Sequence, residues 1–230
     1  MKNLVKTLLV LISISILSAC SDTVDIKGIQ ELADKVEQAN EIVGSKELDE
    51  LSDAVGNAAE FAGEIKNLTE VLTKLPAEVN KDKVVTAHVE SCYDGDTCKA
   101  MVNGKKESLR FLLVDSSEIK GGPMPYAEEA RDYLNDLVEG KEIVLELGKG
   151  DSRDKYDRLL VYGFLPTGEN IQETMLKEGL HTVRYIYEDK KYLDDYIAAM
   201  EQAKNAKIGV WSIPGYAGYD QPYNLDAVTH

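Results

Sequence analysis

The 230-residue sequence predicts an α+β fold of five short strands and three helices, preceded by an α-helical hairpin segment. Three observations carry this. Alternating, β-branched runs punctuated by Asp-Gly and Asn-Gly begin only at Val84, helical apolar spacing governs 21–82, and the first twenty residues have the pattern of an export signal. With 43% hydrophobic and 29% charged residues the chain has enough apolar material for an ordinary core. Its 26 Lys+Arg against 41 Asp+Glu give a net charge of −15 and a pI near 4.7, which argues against a protein that grips long nucleic acid by bulk charge.

The elements follow in chain order. Lys2 and Lys6 precede an apolar run, Leu8 to Ile16, that is short for a bilayer span, and Leu17-Ser18-Ala19-Cys20 closes it. That tetrapeptide resembles the lipobox of bacterial lipoprotein signal peptides. The resemblance implies removal of 1–19, diacylation of Cys20, and an extracytoplasmic protein lipid-anchored to the bacterial cell membrane. An ordinary signal peptide with an incidental Cys20 is the alternative. Losing two lysines with the leader takes the net charge from −15 to −17.

Within 20–82, Ile29, Leu32, Val36 and Ala39 form one helical stripe, Gly44-Ser45 breaks it, and Leu48, Leu51, Val55, Ala58, Ala62, Ile65 and Leu72 form a second. The stretch 21–80 carries a net −9 and no cluster of His, Cys or aromatic residues. A solvated spacer fits this, and so does a coiled coil with an unknown partner.

Residues 83–213 read as the second domain. Val84 to Cys92 and Thr97 to Val102 flank an Asp-Gly turn, Asn103-Gly104 makes another, and Leu109 to Val114 is a continuous apolar run, together a three-stranded meander. Tyr126 to Val138 has helical periodicity and stops at Gly140. Glu142 to Leu147 and Leu159 to Phe164 are strands around a polar loop, 148–158; Asn170 to Lys177 and Lys191 to Lys207 are helices, each followed by a glycine. Five such strands can close into a small OB-type barrel. The Tyr- and Gly-rich tail 214–230 either wraps the domain or hangs free. Cys92 and Cys98 flank the Asp-Gly turn and either bridge it as a disulfide or remain free thiols.

The meander brings Asp96, at the start of the second strand, and Asp115, at the end of the third, to one end of the sheet. Two carboxylates with nearby carbonyls make a hard oxygen site suited to Ca²⁺. Arginine is scarce, five residues in all, and Arg110 opens the strand that ends at Asp115 while Arg158 ends the polar loop. A planar guanidinium matches two oxygens of a phosphate where lysine supplies only a point charge. None of His88, His181 and His230 is spaced for zinc, and Trp211 reads as a packing anchor.

Asp94-Gly95-Asp96-Thr97, Arg110 through Glu118, and Asp154-Lys155-Tyr156-Asp157-Arg158, in that order, resemble the signature of staphylococcal nuclease-like thermonucleases. The likeness continues through Ala127 to Ala130, Glu178-Gly179-Leu180, Tyr185-Ile186-Tyr187 and Gly209-Val210-Trp211. It implies an OB-fold barrel with three helices and a Ca²⁺-dependent phosphodiesterase acting on DNA and RNA. By position Asp96 and Asp115 match the calcium-binding carboxylates, and Ser116 the residue whose carbonyl joins them. Glu118 matches the general base, Arg110 and Arg158 the phosphate-clamping arginines, and Lys155, Tyr156, Tyr185 and Tyr187 the lining of the nucleotide pocket. A monomer is expected. Two departures stand out: Ser117 replaces the proline of the family's Asp-Thr-Pro-Glu, and Asp157 replaces a glycine and can pair with Arg158 or Arg153. The competing reading is a non-catalytic nuclease-like OB module that binds nucleic acid or protein at the envelope.

Overall fold

The computed structural model describes residues 70–150 and 152–228. Cys20, the leader and nearly all of the expected helical hairpin lie outside the described residues. The chain divides into two compact units, Met1–Thr73 and Lys74–His230.

In the second unit five strands close a barrel in the order β1-β2-β3-β6-β5. β1 (Val84–Cys92) pairs antiparallel with β2 (Thr97–Val102) and with β5 (Glu142–Leu147), and β2 with β3 (Lys105–Phe111). The nine-residue β1 serves two partners by curving, and a bulge between Val89 and Ser91 marks the bend. Asn103 and Gly104, at φ 50° and 74°, form the tight primed turn that joins β2 to β3. β6 (Leu159–Phe164) closes the barrel, antiparallel to β5 and parallel to β3. This is the strand order of an OB-type barrel. Val89, Leu109, Phe111, Leu145 and Val161 fill its interior.

The apolar run predicted as one strand, 109–114, is two. β3 leaves the barrel after Phe111, Leu113 takes φ 64°, and Val114–Asp115 (β4) pairs with Thr182–Val183 (β7) in a separate two-stranded sheet. A left-handed leucine reverses the strand's direction and carries Asp115 from the barrel wall to its rim. Helix α1 (Ala127–Val138) lays Ala127, Ala130, Leu134 and Val138 inward. Helix α2 (Ile171–Lys177) is N-capped by Asn170, whose side chain accepts from the Glu173 N–H. Helix α3 (Leu193–Ala206) buries Tyr196, Ala199, Met200 and Ala203.

Both ends of the unit are tied down. Residues 70–74 are helical, Pro76 stops that helix, and Leu75 and Val79 are buried at 7% and 5% exposure. The Asn80 N–H donates to buried Glu146, which also takes Lys191 and the Tyr192 hydroxyl. The tail wraps: Tyr216 is 1% exposed and the Asp220 N–H donates to the Val183 carbonyl.

Candidate active site

The turn between β1 and β2 is braced from three sides. Cys92 and Cys98 are register partners joined by a disulfide. From α1, the Asn135 side chain accepts from the Cys92 N–H at 2.7 Å and donates to its carbonyl. Buried His181 sets Nε2 against the Gly95 carbonyl. A Cβ at Gly95 would lie 2.7 Å from the Ser116 Cβ and 2.8 Å from that of Ala130, so only glycine lets the turn press this closely on the segment after β4. That approach seats Asp96: Oδ2 accepts the Ser116 N–H at 3.0 Å and Oδ1 the Thr97 hydroxyl at 2.9 Å.

The register Thr97↔Arg110 sets Arg110 beside that carboxylate. Nη2 of Arg110 lies 3.1 Å from Asp96 Oδ2 and 3.7 Å from Asp115 Oδ1, and its guanidinium also donates to the Phe111 and Val114 carbonyls. All three side chains are nearly buried. Asp115 has a second partner that the sequence reading did not single out, Arg184, whose Nη1 lies 2.6 Å from Oδ2. Arg184 follows β7 directly, so the pairing Asp115↔Thr182 puts it there. Its sequence signal was its rarity, one of five arginines, and its place beside Tyr185.

A cleft of about 560 Å³ opens over this cluster. It is lined by Asp96, Asp115, Glu118, Arg110 and Arg158, and by Lys155, Tyr156, Tyr185 and Tyr187. Of the residues singled out for the site only Ser116 lies outside the lining; it is buried beneath Asp96. Asp94, not singled out for the site, lines the cleft too. Tyr185 stacks with Tyr187 and lies 5.5 Å from the Arg110 guanidinium and 4.6 Å from that of Arg184. Across the cleft Asp154 organises its loop by accepting from the Tyr156 and Arg158 backbone N–H groups, and it takes the Arg158 guanidinium at 2.7 Å. Asp157 pairs with Arg153, at 3.4 Å, and not with Arg158. It sits at φ 63°, which explains a glycine at the matching place and which aspartate tolerates.

The electrostatics are those of crowded carboxylates. Burial and the neighbouring Asp96 charge push Asp94 up to about 7 and, against Arg184 and Arg110, Asp115 up to about 6. Burial alone would raise Asp96 as well, but Arg110, the Ser116 N–H and the Thr97 hydroxyl hold it below its ordinary value. Burial drives His181 down to about 4, so it is neutral at pH 7. No three Asp, Glu, His or Cys side chains among the described residues form a ready-made metal cluster. The donor set is instead two converging carboxylates with the Phe111 and Val114 carbonyls beside them, in a site where burial, and after it the mutual repulsion of the carboxylates, raises two carboxyl groups. Such a set suits a hard cation satisfied largely by water and carbonyl oxygen.

Residues 108–213 match the profile of the family described as staphylococcal nuclease homologue. The chain is 42% identical over 154 residues to the endonuclease YncB of Bacillus subtilis strain 168, an alignment that covers 65% of this chain and 72% of that one. It is 41% identical over 138 residues to the SPbeta prophage-derived endonuclease YokF of the same organism, covering 58% of this chain and 46% of the relative. With the thermonuclease of Staphylococcus hyicus it shares 33% identity over 122 residues, 52% of this chain and 71% of that enzyme.

Proposed function

Since the chain belongs to the family of staphylococcal nuclease homologues, we propose that it is a Ca²⁺-dependent nuclease that hydrolyses phosphodiester bonds in DNA and RNA outside the cytoplasm. The observation that carries this reading is the meeting of Asp96, Asp115 and Arg110 at the floor of a cleft with Glu118 and Arg158 in its lining. Asp96, Asp115 and the Ser116 carbonyl are the residues that would hold the cation. When bound, Ca²⁺ supplies charge that polarises the scissile phosphate and offsets the carboxylates.

The chain's own groups do the rest. Glu118 is exposed in the cleft, the position required of a base that takes a proton from an attacking water. Arg110 and Arg158 meet the charge that builds on the phosphoryl oxygens, Arg110 held by four oxygens and Arg158 by Asp154. Lys155, Tyr156, Tyr185 and Tyr187 supply charge and ring faces for the nucleotide next to the bond. In this reading Cys20 carries the lipid anchor, the residues between it and the domain-bound segment 75–82 space the enzyme from the membrane, and the enzyme is a monomer.

Cleavage of a single-stranded oligonucleotide tests the cation assignment. Activity is expected to vanish with a calcium chelator, to return with Ca²⁺, and to require a higher Ca²⁺ concentration in Asp96→Asn and Asp115→Asn. Cleavage that persists through chelation contradicts it.

A further inference from the structure

The structure assigns the C-terminal tail a part in catalysis: Tyr216 and Tyr223 clamp the segment 115–125 and so aim Glu118, replacing the stiffness that a proline at position 117 would give. The inference rests on Glu118 being the base. Ser117 is wholly buried, and its hydroxyl lies 2.9 Å from that of Tyr216. The Tyr216 hydroxyl in turn donates to the Pro125 carbonyl at 3.1 Å, so one phenol joins both ends of the loop that carries Glu118. Within the loop the Met124 N–H donates to the Glu118 carbonyl at 3.0 Å. Tyr223 holds the other flank, its hydroxyl donating to the Asp115 carbonyl at 3.1 Å.

The two rings lie 5.0 Å apart, and the Asn224 N–H donates to the Tyr216 carbonyl, so the tail is closed on itself as well as on the site. The Asp220 N–H ties it to β7, the partner of β4. Three hydrogen bonds thus link a segment outside the barrel to Asp115, Ser117 and Pro125, with Glu118 between them, and a fourth fixes the tail to β7. A flexible serine replaces the φ-locked proline at the point where the tail phenol binds, which is where external support has most effect. Tyr216 and Tyr223 touch neither substrate nor cation in this assignment; they are positioning residues.

The test is single-turnover cleavage of a single-stranded DNA oligonucleotide by the full chain, with protein and Ca²⁺ saturating, at a temperature where circular dichroism shows each variant folded. Misplacement by a fraction of an ångström costs about tenfold in rate, less than the roughly 10²-fold of a full ångström. Tyr216→Phe and Tyr223→Phe are each expected to lose that tenfold with unchanged oligonucleotide affinity, and Ser117→Pro is expected to restore Tyr216→Phe. Tyr223 is only half-buried, so its variant reads the clamp without opening the core. Wild-type rates in both phenylalanine variants overturn the clamp, whatever their melting temperatures, and so does a loss that Ser117→Pro leaves unrepaired. Glu118→Gln run alongside separates the two failures: if it is inactive while the tail variants are unimpaired, only the clamp falls; if it is fully active, the base assignment falls and the clamp with it.

Discussion

Asp96 and Asp115 come from different strands and meet at one guanidinium, and that economy explains how far the site was legible in the sequence. Arg110, Asp115 and Glu118 lie within nine residues, so their local motif survives in the chain as written. Asp94 and Arg184 were not legible in this way. Asp94 resembled ordinary turn chemistry, and Arg184 acquires meaning only when β7 pairs with β4. Asp94 also carries a cost that can be measured. Its carboxyl, raised to about 7 from an unfolded value near 3.8, binds protons more tightly folded than unfolded, so the stability it lends is present in acid and lost as pH rises through 7. Asparagine keeps an oxygen to accept the Asp96 N–H and has no charge to repel. In cation-free protein Asp94→Asn should therefore be more stable by about 1–2 kcal/mol at pH 8, less than the full shift would convert to because the titration is shared with Asp96, and no different near pH 4. Urea unfolding at the two pH values checks this.

At the scale of elements, periodicity and turn residues located four of the five barrel strands and all three α-helices of the described domain, because β-branched alternation and i, i+3, i+4 spacing are written locally; the third strand, expected from Leu109, begins at Lys105, its polar first half, Lys105 to Ser108, giving no such signal. Two further features escaped. The run 109–114 is apolar throughout, and nothing in it marks the left-handed Leu113 that sends Asp115 to the rim; the reversal is imposed by pairing with Thr182–Val183, nearly seventy residues on. The segment before β1 looked like the end of a helical spacer, yet Leu75 and Val79 are core residues and Asn80 is bound to Glu146. A chain begun at 83 loses two buried apolar side chains and one hydrogen bond to a buried carboxylate. Relative to a chain begun at 74 it should lose about 3 kcal/mol, within the range expected for deleting buried Leu and Val side chains. Thermal unfolding of the two truncations measures the difference, and equal melting temperatures would show that 74–82 contributes nothing.

For the whole molecule the net charge of −15 is compatible with a nucleic-acid substrate because of where charge is placed. The stretch 21–80 holds −9 of it, while Arg110, Arg158 and Lys155 line the cleft. Few phosphates can then be neutralised at once. With Ca²⁺ saturating, oligonucleotide affinity should fall with monovalent salt at a logarithmic slope no steeper than about 2–3, the number of cationic groups in reach; a slope near that of an extended basic face, about 6 or more, would mean a binding surface elsewhere. The central claim is that this cleft performs hydrolysis with Glu118 as its base. Single-turnover cleavage by Glu118→Gln in saturating Ca²⁺ tests it most directly. The account predicts a loss of about 10²–10⁴-fold with Ca²⁺ affinity and fold intact; cleavage at the wild-type rate would contradict it.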